Sequence, residues 1–238
     1  MDPKGLAMFL DLDGTLVDIA EHPEKVVVSD VLQKMLGRLQ VACDGAVALV
    51  SGRSIAGIDR HLTPLVLPVA GQHGLERRTA AGNRIELAGR ELLPAVRQAL
   101  DTLLRNQAGV LVEDKGLGLA VHYRQRPALA SWLHRCLRQL VAERPGLTLL
   151  RGKRVVEIKP AGADKGRAIA EFLAEAPYHG RRPVFVGDDV TDEAGFATVN
   201  AAGGVTVKVG AGRTAASNRL PNVEAVLAWL DGIAVGSP

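Results

Sequence analysis

The stretch that most constrains the fold is residues 6–15, where five apolar residues end in two aspartates: Leu6-Ala7-Met8-Phe9-Leu10-Asp11-Leu12-Asp13-Gly14-Thr15. Five consecutive apolar residues predict a strand that is buried on both faces. Because side chains alternate along a strand, Asp11 and Asp13 are expected to point to the same side at its carboxyl end. Two adjacent carboxylates repel each other unless a cation compensates them. Aspartate and glycine are also common turn residues, so the stretch alone does not separate a functional site from an ordinary turn.

The first third of the chain alternates between strand and helix patterns. Apolar spacing predicts an amphipathic helix within residues 28–41, with Ser29 as its N-cap. Short apolar runs at 46–50 and 65–70 predict two further strands, and a helix is expected to begin near Ser54 between them. This alternation favours an α/β fold with a parallel sheet, in which ligands bind at the carboxyl ends of the strands.

The pattern then changes to helix, hairpin, helix, hairpin, which indicates an inserted α+β domain. Strand pairs are predicted at 109–124 and 147–159, each after a helix. We expect this second domain to span residues 77–159. The α/β pattern resumes afterwards, so residues 1–76 and 160–238 are predicted to form one core domain.

Composition excludes several classes of protein. The 238-residue chain is 47% hydrophobic, but no apolar run approaches the length of a membrane span. The net charge of +3 and the few aromatic residues give little support to nucleic-acid binding. Cys43 and Cys136 are too few for a disulfide framework and are expected to be packed thiols. The N-terminal residues lack the pattern of a signal peptide, so we expect a cytoplasmic protein. Separately, we expect a monomer or a weak homo-oligomer.

Lys165 follows Asp164 at the predicted start of a helix. A cation in the first turn opposes the helix dipole, which favours acidic residues there. A phosphate anchor explains this placement, because an amine binds phosphoryl oxygens directly. The alternative is a solvated surface lysine.

A second acidic cluster follows another apolar run, in Val184-Phe185-Val186-Gly187-Asp188-Asp189-Val190-Thr191-Asp192-Glu193. Asp192 and Glu193 are also typical of a helix N-terminus. Asp188 and Asp189, at the end of a buried strand, are harder to explain by local structure. Oxygen ligands without a histidine or cysteine cluster indicate Mg²⁺.

Together these segments resemble the four motifs of the haloacid-dehalogenase-like (HAD) phosphatases, in the same chain order. The four motifs are Asp11-Leu12-Asp13-Gly14-Thr15, Ser51, Lys165, and Gly187-Asp188-Asp189 with Asp192. The insertion lies between the serine and the lysine, as in the subgroup with an α/β cap. Within that subgroup the chain resembles the trehalose-6-phosphate phosphatase family. The segments that carry this resemblance are Gly71-Gln72-His73-Gly74, Glu113-Asp114-Lys115-Gly116, His122-Tyr123-Arg124, Val156-Glu157-Ile158-Lys159-Pro160 and Gly187-Asp188-Asp189-Val190-Thr191-Asp192-Glu193.

The resemblance implies a Rossmann-like parallel-sheet HAD core with an inserted cap for substrate specificity. It also implies that Asp11 attacks phosphorus and forms an aspartyl-phosphate. Asp13 then protonates the leaving oxygen and later takes a proton from the hydrolytic water. By the same resemblance, Ser51 and Lys165 bind the phosphoryl oxygens as catalytic residues.

The resemblance further implies a Mg²⁺ cofactor. Its ligands are the Asp11 carboxylate, the Asp13 backbone carbonyl and Asp188. Asp189 and Asp192 orient metal-bound waters or Lys165.

The substrate site is expected to draw on both domains. In the core the residues assigned to it are Thr15, Gly52, Arg53, Gly71 and His73. In the cap they are Glu113, Lys115, His122, Arg124 and Glu157. Alternation places Gly118, Ala120, His122 and Arg124 on one strand face, where small residues leave room for a ligand. Carboxylates with nearby cations suit a polyol, although an ordinary solvated sheet face has the same composition.

The resemblance therefore implies a Mg²⁺-dependent phosphatase that releases trehalose and phosphate from trehalose 6-phosphate. One alternative is the same chemistry on another sugar phosphate, such as sucrose phosphate or mannosyl-3-phosphoglycerate, because the core motifs do not contact the sugar. A second alternative is a catalytically idle sugar-phosphate sensor. The intact pair Asp11 and Asp13 argues against a sensor, because an idle domain needs no acid beside a nucleophile.

Overall fold

The computed structural model describes residues 2–19, 28–152 and 154–236, and the chain divides into two compact units. The first, called the core unit here, comprises Met1–Glu86 and Ala163–Pro238. The second, called the inserted unit, is Leu87–Gly162, which interrupts the core unit in the sequence. No helix in the described ranges is long and apolar enough to cross a membrane.

The strands and helices follow one another in mixed order along the chain. The strands are β1 (Leu6–Leu10), β2 (Val47–Val50), β3 (Val69–Gly71), β4 (Glu76–Arg78), β5 (Arg84–Glu86), β6 (Leu111–Asp114), β7 (Leu119–His122), β8 (Leu147–Gly152), β9 (Val155–Pro160), β10 (Arg182–Gly187), β11 (Val205–Val209) and β12 (Asn218–Leu220). The α-helices are α1 (Asp30–Ala42), α2 (Ile55–Leu62), α3 (Leu93–Leu104), α4 (Ala130–Ala142), α5 (Lys165–Leu173), α6 (Glu193–Ala201) and α7 (Val223–Val235).

The core unit is built on an eight-stranded sheet with the strand order β12-β11-β10-β1-β2-β3-β4-β5. The strands from β12 to β3 run parallel. Met8 and Leu10 of β1 enter one apolar cluster, and Ala7 and Phe9 enter another. A strand buried on both faces needs apolar residues at every position, which explains the unbroken apolar run. The predicted α/β class with a parallel-sheet core is confirmed.

The core sheet ends in the antiparallel hairpin β4–β5, which the sequence analysis assigned to the insertion. Buried arginines tie this hairpin to the core unit. Arg77 Nη1 donates to Glu175 Oε1 at 2.6 Å, and Arg78 binds both carboxylate oxygens of Asp59 at 2.7 and 2.8 Å. The first core segment therefore extends to Glu86 instead of residue 76, and the inserted unit ends at Gly162 instead of residue 159. The polar, turn-rich sequence had suggested a domain boundary at residue 77, but Arg77 and Arg78 bind acidic residues of the core unit.

Local capping signals were predicted well. Ser29 Oγ accepts the backbone N–H of Leu32 at 3.2 Å, so α1 starts where predicted. Asp164 Oδ1 accepts the N–H of Arg167 at 2.8 Å, which makes Lys165 the first residue of α5. Strand β12 was not predicted, because its three residues at the sheet edge carry no apolar pattern.

The inserted unit has a four-stranded antiparallel sheet in the order β6-β7-β9-β8, with α3 and α4 packed on one face. Its elements follow the predicted order of helix, hairpin, helix, hairpin. Leu119, Val121 and Tyr123 lie in its apolar cluster, as alternation predicted. The opposite sheet face carries Ala120 and His122, which is the face expected to hold a ligand.

Candidate active site

Three predicted site residues follow neighbouring parallel strands of the core sheet. Asp11 follows β1, Ser51 follows β2 and Asp188 follows β10. Parallel neighbours end at the same edge of a sheet, so residues far apart in sequence meet there. The backbone N–H of Asp11 also donates to the carbonyl of Val186 in β10 at 3.0 Å, which fixes the two loops side by side.

Lys165 contacts two buried carboxylates. Its Nζ lies 2.8 Å from Asp11 Oδ1 and 2.6 Å from Asp192 Oδ1, and no more than 6% of any of these three side chains is exposed. Burial by itself lowers the pKa of an amine, but the two carboxylates raise the pKa of Lys165 above its ordinary value. Lys165 is therefore charged and inside the core, and the alternative of a solvated surface lysine is wrong.

The negative charge around Asp11 exceeds what one lysine compensates. Burial raises the pKa of Asp11 well above its ordinary value; Lys165 opposes this shift, while Asp192 and Asp188 add to it. Burial also raises the pKa of Asp188, with a further contribution from Asp192. The Thr15 hydroxyl lies between the two carboxylates, 3.4 Å from Asp11 Oδ2 and 3.5 Å from Asp188 Oδ1. A further cation is the simplest way to stabilise both carboxylates in their charged forms.

Two glycines let the acidic loops approach one another. Gly14 has a φ of +79°, and a Cβ at this position would lie 2.3 Å from Asp188 Oδ2. At Gly187 a Cβ would lie 2.4 Å from Cγ of Asp192. Any side chain at these positions would push a carboxylate aside, so both glycines are required by the close packing of the site.

Asp189 and Asp192 form reciprocal hydrogen bonds, each from a backbone N–H to the other residue's side chain. Asp192 Oδ2 accepts the N–H of Asp189 at 2.8 Å, and the Asp189 side chain accepts the N–H of Asp192 in return. Asp192 is fully buried, whereas Asp189 is exposed. Asp192 thus lies at a helix start, as expected from the sequence, and also binds Lys165.

The acidic residues fit a hard metal ion. Carboxylate oxygens of Asp11, Asp188 and Asp192 lie within 4.8 Å of one another. Asp192 already uses one oxygen for Lys165 and the other for the N–H of Asp189. Asp11 and Asp188 are therefore the carboxylates best able to coordinate an ion, and an all-oxygen donor set suits Mg²⁺.

The carboxylate of Asp13 is bound by Arg53. Arg53 Nε lies 2.6 Å from Asp13 Oδ2, and Nη2 lies 2.6 Å from Asp13 Oδ1. Sequence analysis assigned Arg53 to the substrate, but in the structure its guanidinium forms a bidentate pair with Asp13. Arg53 Nη1 is also 3.3 Å from Nε2 of His61, whose pKa is lowered by burial and by Arg53. No pattern in the sequence pointed to His61.

The loops after β2 and β3 are joined around Ser51, which is fully buried. Ser51 Oγ accepts the N–H of Arg53 at 3.1 Å, and its carbonyl accepts the N–H of His73 at 2.9 Å. His73 has a left-handed φ of 57°, and its ring lies against Gly52, where a Cβ would be 2.8 Å away. Gly71 approaches the Arg53 carbonyl just as closely, with a Cβ position at 3.0 Å. The structure therefore brings these predicted residues into one loop cluster.

In the inserted unit, four of the five predicted sugar-site residues form two polar pairs. His122 Nε2 lies 2.7 Å from Glu113 Oε2, and Lys115 Nζ lies 2.5 Å from Glu157 Oε1. Arg124 does not share their strand face. β7 ends at His122, so Arg124 lies in the following turn and is exposed. The alternation rule failed there because it applies only within the strand.

Two residues that support the site were missed by sequence analysis. Glu76 Oε1 accepts the N–H of Ile55 at 2.9 Å and Nε2 of Gln72 at 3.2 Å, which ties the loops after β2 and β3 together. Lys208 is buried in β11 and donates to the main-chain carbonyl of Asp188. Nothing in the sequence indicated Glu76. For Lys208, its position within the largely apolar run 205–209 was an indication.

Comparison with known proteins agrees with this geometry. The family model described as Trehalose-phosphatase matches residues 9–224. The chain is 46% identical over 228 residues to the trehalose-6-phosphate phosphatase of Escherichia coli (strain K12), and the match covers 95% of this chain and 86% of that protein.

Solved structures show the same fold. The C-terminal domain of the Candida albicans trehalose-6-phosphate phosphatase has a TM-score of 0.83 at 22% identity, covering 98% of this chain and 92% of that one. A haloacid dehalogenase-like hydrolase from Bacteroides thetaiotaomicron has a TM-score of 0.70 at 16% identity, covering 96% and 98%. The family model covers most of the chain and the Escherichia coli relative is 46% identical, so the chain belongs to the trehalose-phosphatase family.

Proposed function

We propose that this protein hydrolyses trehalose 6-phosphate to trehalose and inorganic phosphate through an aspartyl-phosphate intermediate. The observation that carries the proposal is the buried group in which Lys165 binds Asp11 and Asp192, with Asp188 beside them. Family membership supplies the substrate, because a relative named trehalose-6-phosphate phosphatase matches 95% of the chain.

Asp11 is the proposed nucleophile. Lys165 holds its Oδ1, and Thr15 approaches its Oδ2, so the carboxylate has a fixed orientation before substrate arrives. A fixed nucleophile lowers the entropic cost of attack on phosphorus. Lys165 and the buried Ser51 are then available to bind the phosphoryl oxygens as negative charge spreads over them.

Asp13 is the proposed general acid and base. Its two hydrogen bonds from Arg53 hold the carboxylate in one orientation. To deliver a proton to the leaving sugar oxygen, Asp13 has to exchange one of these bonds for a proton. The same carboxylate then takes a proton from the water that hydrolyses the aspartyl-phosphate. Arg53 is thus a positioning residue for Asp13 in addition to any contact with substrate.

Mg²⁺ is the proposed cofactor. The ion would be held by the Asp11 carboxylate, the Asp13 backbone carbonyl and Asp188. Asp189 and Asp192 would orient metal-bound waters or Lys165. When bound, it shields the anionic nucleophile from the anionic phosphoryl group. The assignment is supported by the carboxylate oxygens of Asp11, Asp188 and Asp192, which lie within 4.8 Å of one another. Burial raises the pKa of both Asp11 and Asp188, so a cation between them would stabilise their charged forms.

We propose that the inserted unit is a cap that recognises the sugar. The polar pairs Glu113–His122 and Lys115–Glu157 offer carboxylate acceptors and cationic donors suited to sugar hydroxyls. Arg124 is proposed to contact the substrate from the turn after β7. In the core unit, Gly52, Gly71 and His73 are proposed to bind substrate. A cytoplasmic location and a monomeric or weakly oligomeric state stay predictions.

A panel of sugar phosphates tests the proposal. Phosphate release is measured with trehalose 6-phosphate, sucrose phosphate, mannosyl-3-phosphoglycerate and p-nitrophenyl phosphate. We expect kcat/KM to be highest for trehalose 6-phosphate, by at least about tenfold over each alternative. A higher value for another sugar phosphate would reassign the substrate, and no release from any of them would favour the sensor.

Metal removal tests the cofactor separately. Excess chelator, followed by removal of the chelate, is expected to abolish phosphate release, and added Mg²⁺ to restore it. Activity retained at full strength in protein whose metal content is verified as zero would contradict the cofactor assignment.

A further inference from the structure

Lys208 is a buried cation that the proposed mechanism does not use. It lies in β11 opposite Gly187 of β10, the residue before Asp188, and is 6% exposed. Its Nζ donates to two main-chain oxygens, the carbonyl of Asp188 and the carbonyl of Val209, the latter at 2.7 Å. The ammonium thus connects the main chain of its own strand end to the loop that carries Asp188.

The choice of partners is unusual for a buried lysine. Three acidic residues, Asp188, Asp189 and Asp192, lie on the adjacent loop, yet Lys208 forms no ion pair among the described residues. Burying an ammonium without a counter-ion costs free energy, so neutral carbonyl partners alone do not explain a lysine by stability. A role in holding the Asp188 loop does explain it.

We propose that Lys208 is a positioning residue that fixes the main chain of Asp188, so that its carboxylate is set against Asp11 for Mg²⁺ binding. This inference rests on the metal assignment of the proposed function. The packing around Asp188 leaves little tolerance for error, because the carboxylate lies where a Cβ on Gly14 would be 2.3 Å away. A small shift of the loop therefore changes the spacing of the two coordinating carboxylates.

The end of β11, where Lys208 binds the carbonyl of Val209, is followed by a loop with several hydrogen bonds. Arg219 donates to the carbonyls of Gly210 and Gly212, immediately after β11. Further along the same loop, the N–H of Ala215 donates to Glu193 Oε2 at 2.8 Å. Val209 is the last residue of β11 and adjoins this loop, so its carbonyl gives Lys208 a fixed partner from which to position Asp188.

A positioning role and a purely electrostatic role of Lys208 predict opposite effects of its removal on Mg²⁺ affinity. If the lysine acted mainly through its charge, its loss would make the acidic site more negative and would strengthen Mg²⁺ binding. If it acts by holding the Asp188 main chain, its loss weakens Mg²⁺ binding. Removal of a residue that orients a metal ligand typically costs about 10–100-fold in affinity. The sign of the change therefore separates the two roles.

The test is calorimetric titration of Mg²⁺ into the metal-free protein, comparing the parent with Lys208→Met. We expect the dissociation constant to rise by about 10–100-fold. The matched control is Arg78→Met, which removes another buried cation that donates to a main-chain carbonyl, that of Leu67. Arg78 pairs with Asp59 and does not contact the acidic cluster, so the control is expected to lose stability and keep the parent affinity.

An affinity that is unchanged or higher in Lys208→Met would overturn the inference, as would an equal loss in Arg78→Met. If the methionine variant does not fold, Lys208→Gln, which keeps an N–H donor on a shorter side chain, carries the same expectation. A second readout is the kcat of Lys208→Met, which should approach that of the parent at saturating Mg²⁺. A parent that binds no Mg²⁺ would instead contradict the metal assignment and this inference with it.

Discussion

The polar pairs of the two units that belong to the candidate site differ in burial: those of Lys165 in the core unit are buried, whereas the Glu113–His122 pair of the inserted unit is in contact with solvent. In the core, the side chains of Lys165 and Asp11 are 3% and 6% exposed. In the inserted unit, those of His122 and Glu113 are 39% and 52% exposed. Buried charges interact strongly but are costly to leave unpaired, while exposed pairs contribute little and exchange partners easily.

This difference matches the work proposed for each unit. Phosphoryl transfer needs charges that are fixed before the reaction begins, because their reorganisation would add to the barrier. Recognition of a sugar needs hydrogen-bonding groups that can leave a neighbour and accept a hydroxyl. The exposed pair Glu113–His122 can make that exchange at low cost, and the buried Lys165–Asp11 pair cannot.

Asp11→Asn is expected to have the largest effect. The variant keeps the shape of the side chain but cannot form an acyl-phosphate, so phosphate release should fall by about 10⁴-fold or more with every substrate. Asp44→Asn, an exposed aspartate of the same unit, is the matched control and should behave as the parent. Near-parental turnover by a folded Asp11→Asn protein would refute the nucleophile assignment.

Lys165→Met tests the cost of breaking a buried pair. Its loss leaves Asp11 and Asp192 buried without their cation, which typically costs about 3–5 kcal/mol in the free energy of unfolding. Lys115→Met removes the corresponding lysine of the inserted unit, whose pair with Glu157 is less buried, and should cost about 1 kcal/mol or less. Urea denaturation of both variants gives the comparison, and similar losses would erase the distinction between the units.

Glu113→Ala tests the division of labour between the units. A hydrogen bond to a charged group is typically worth about 1.5–3 kcal/mol, so kcat/KM on trehalose 6-phosphate should fall by about 10–100-fold. The small substrate p-nitrophenyl phosphate, which requires only the core, should be much less affected. Glu143→Ala, another exposed glutamate of the inserted unit, is the control. Equal losses on both substrates would mean that Glu113 does not contact the sugar.

The smallest expected effect concerns His134 in the inserted unit. Burial, together with Arg151 and Arg138, lowers the pKa of His134 below its ordinary value of 6.5. As the pH falls through that value, the unfolded chain therefore takes up a proton more readily than the folded one, and the folded state loses stability. His134→Gln removes this loss, so its Tm should decline less than that of the parent on acidification. Parallel declines would contradict the prediction.

Interactions between residues that are close in the sequence were predicted correctly from the sequence alone. Spacing within one element determines the Ser29 and Asp164 caps, the strand that precedes Asp11, and the buried face with Leu119 and Val121. Local geometry fixes such spacing, so the alternation and the helical period transfer directly from sequence to structure. Arg124 shows the limit, because alternation stops where the strand stops.

The sequence thus determined the fold class, the family and the order of the acidic strand ends. The pairing of charged groups became visible only in the folded chain: Lys165 binds Asp11 and Asp192, Arg53 binds Asp13, and Lys208 binds the main chain of Asp188. The tertiary structure also decided that the hairpin β4–β5 belongs to the core sheet. The physical reason is that these partners lie many residues apart. Their contacts depend on the strand order of the sheet and on which carbonyl and carboxylate groups become buried. Both are properties of the whole packed chain.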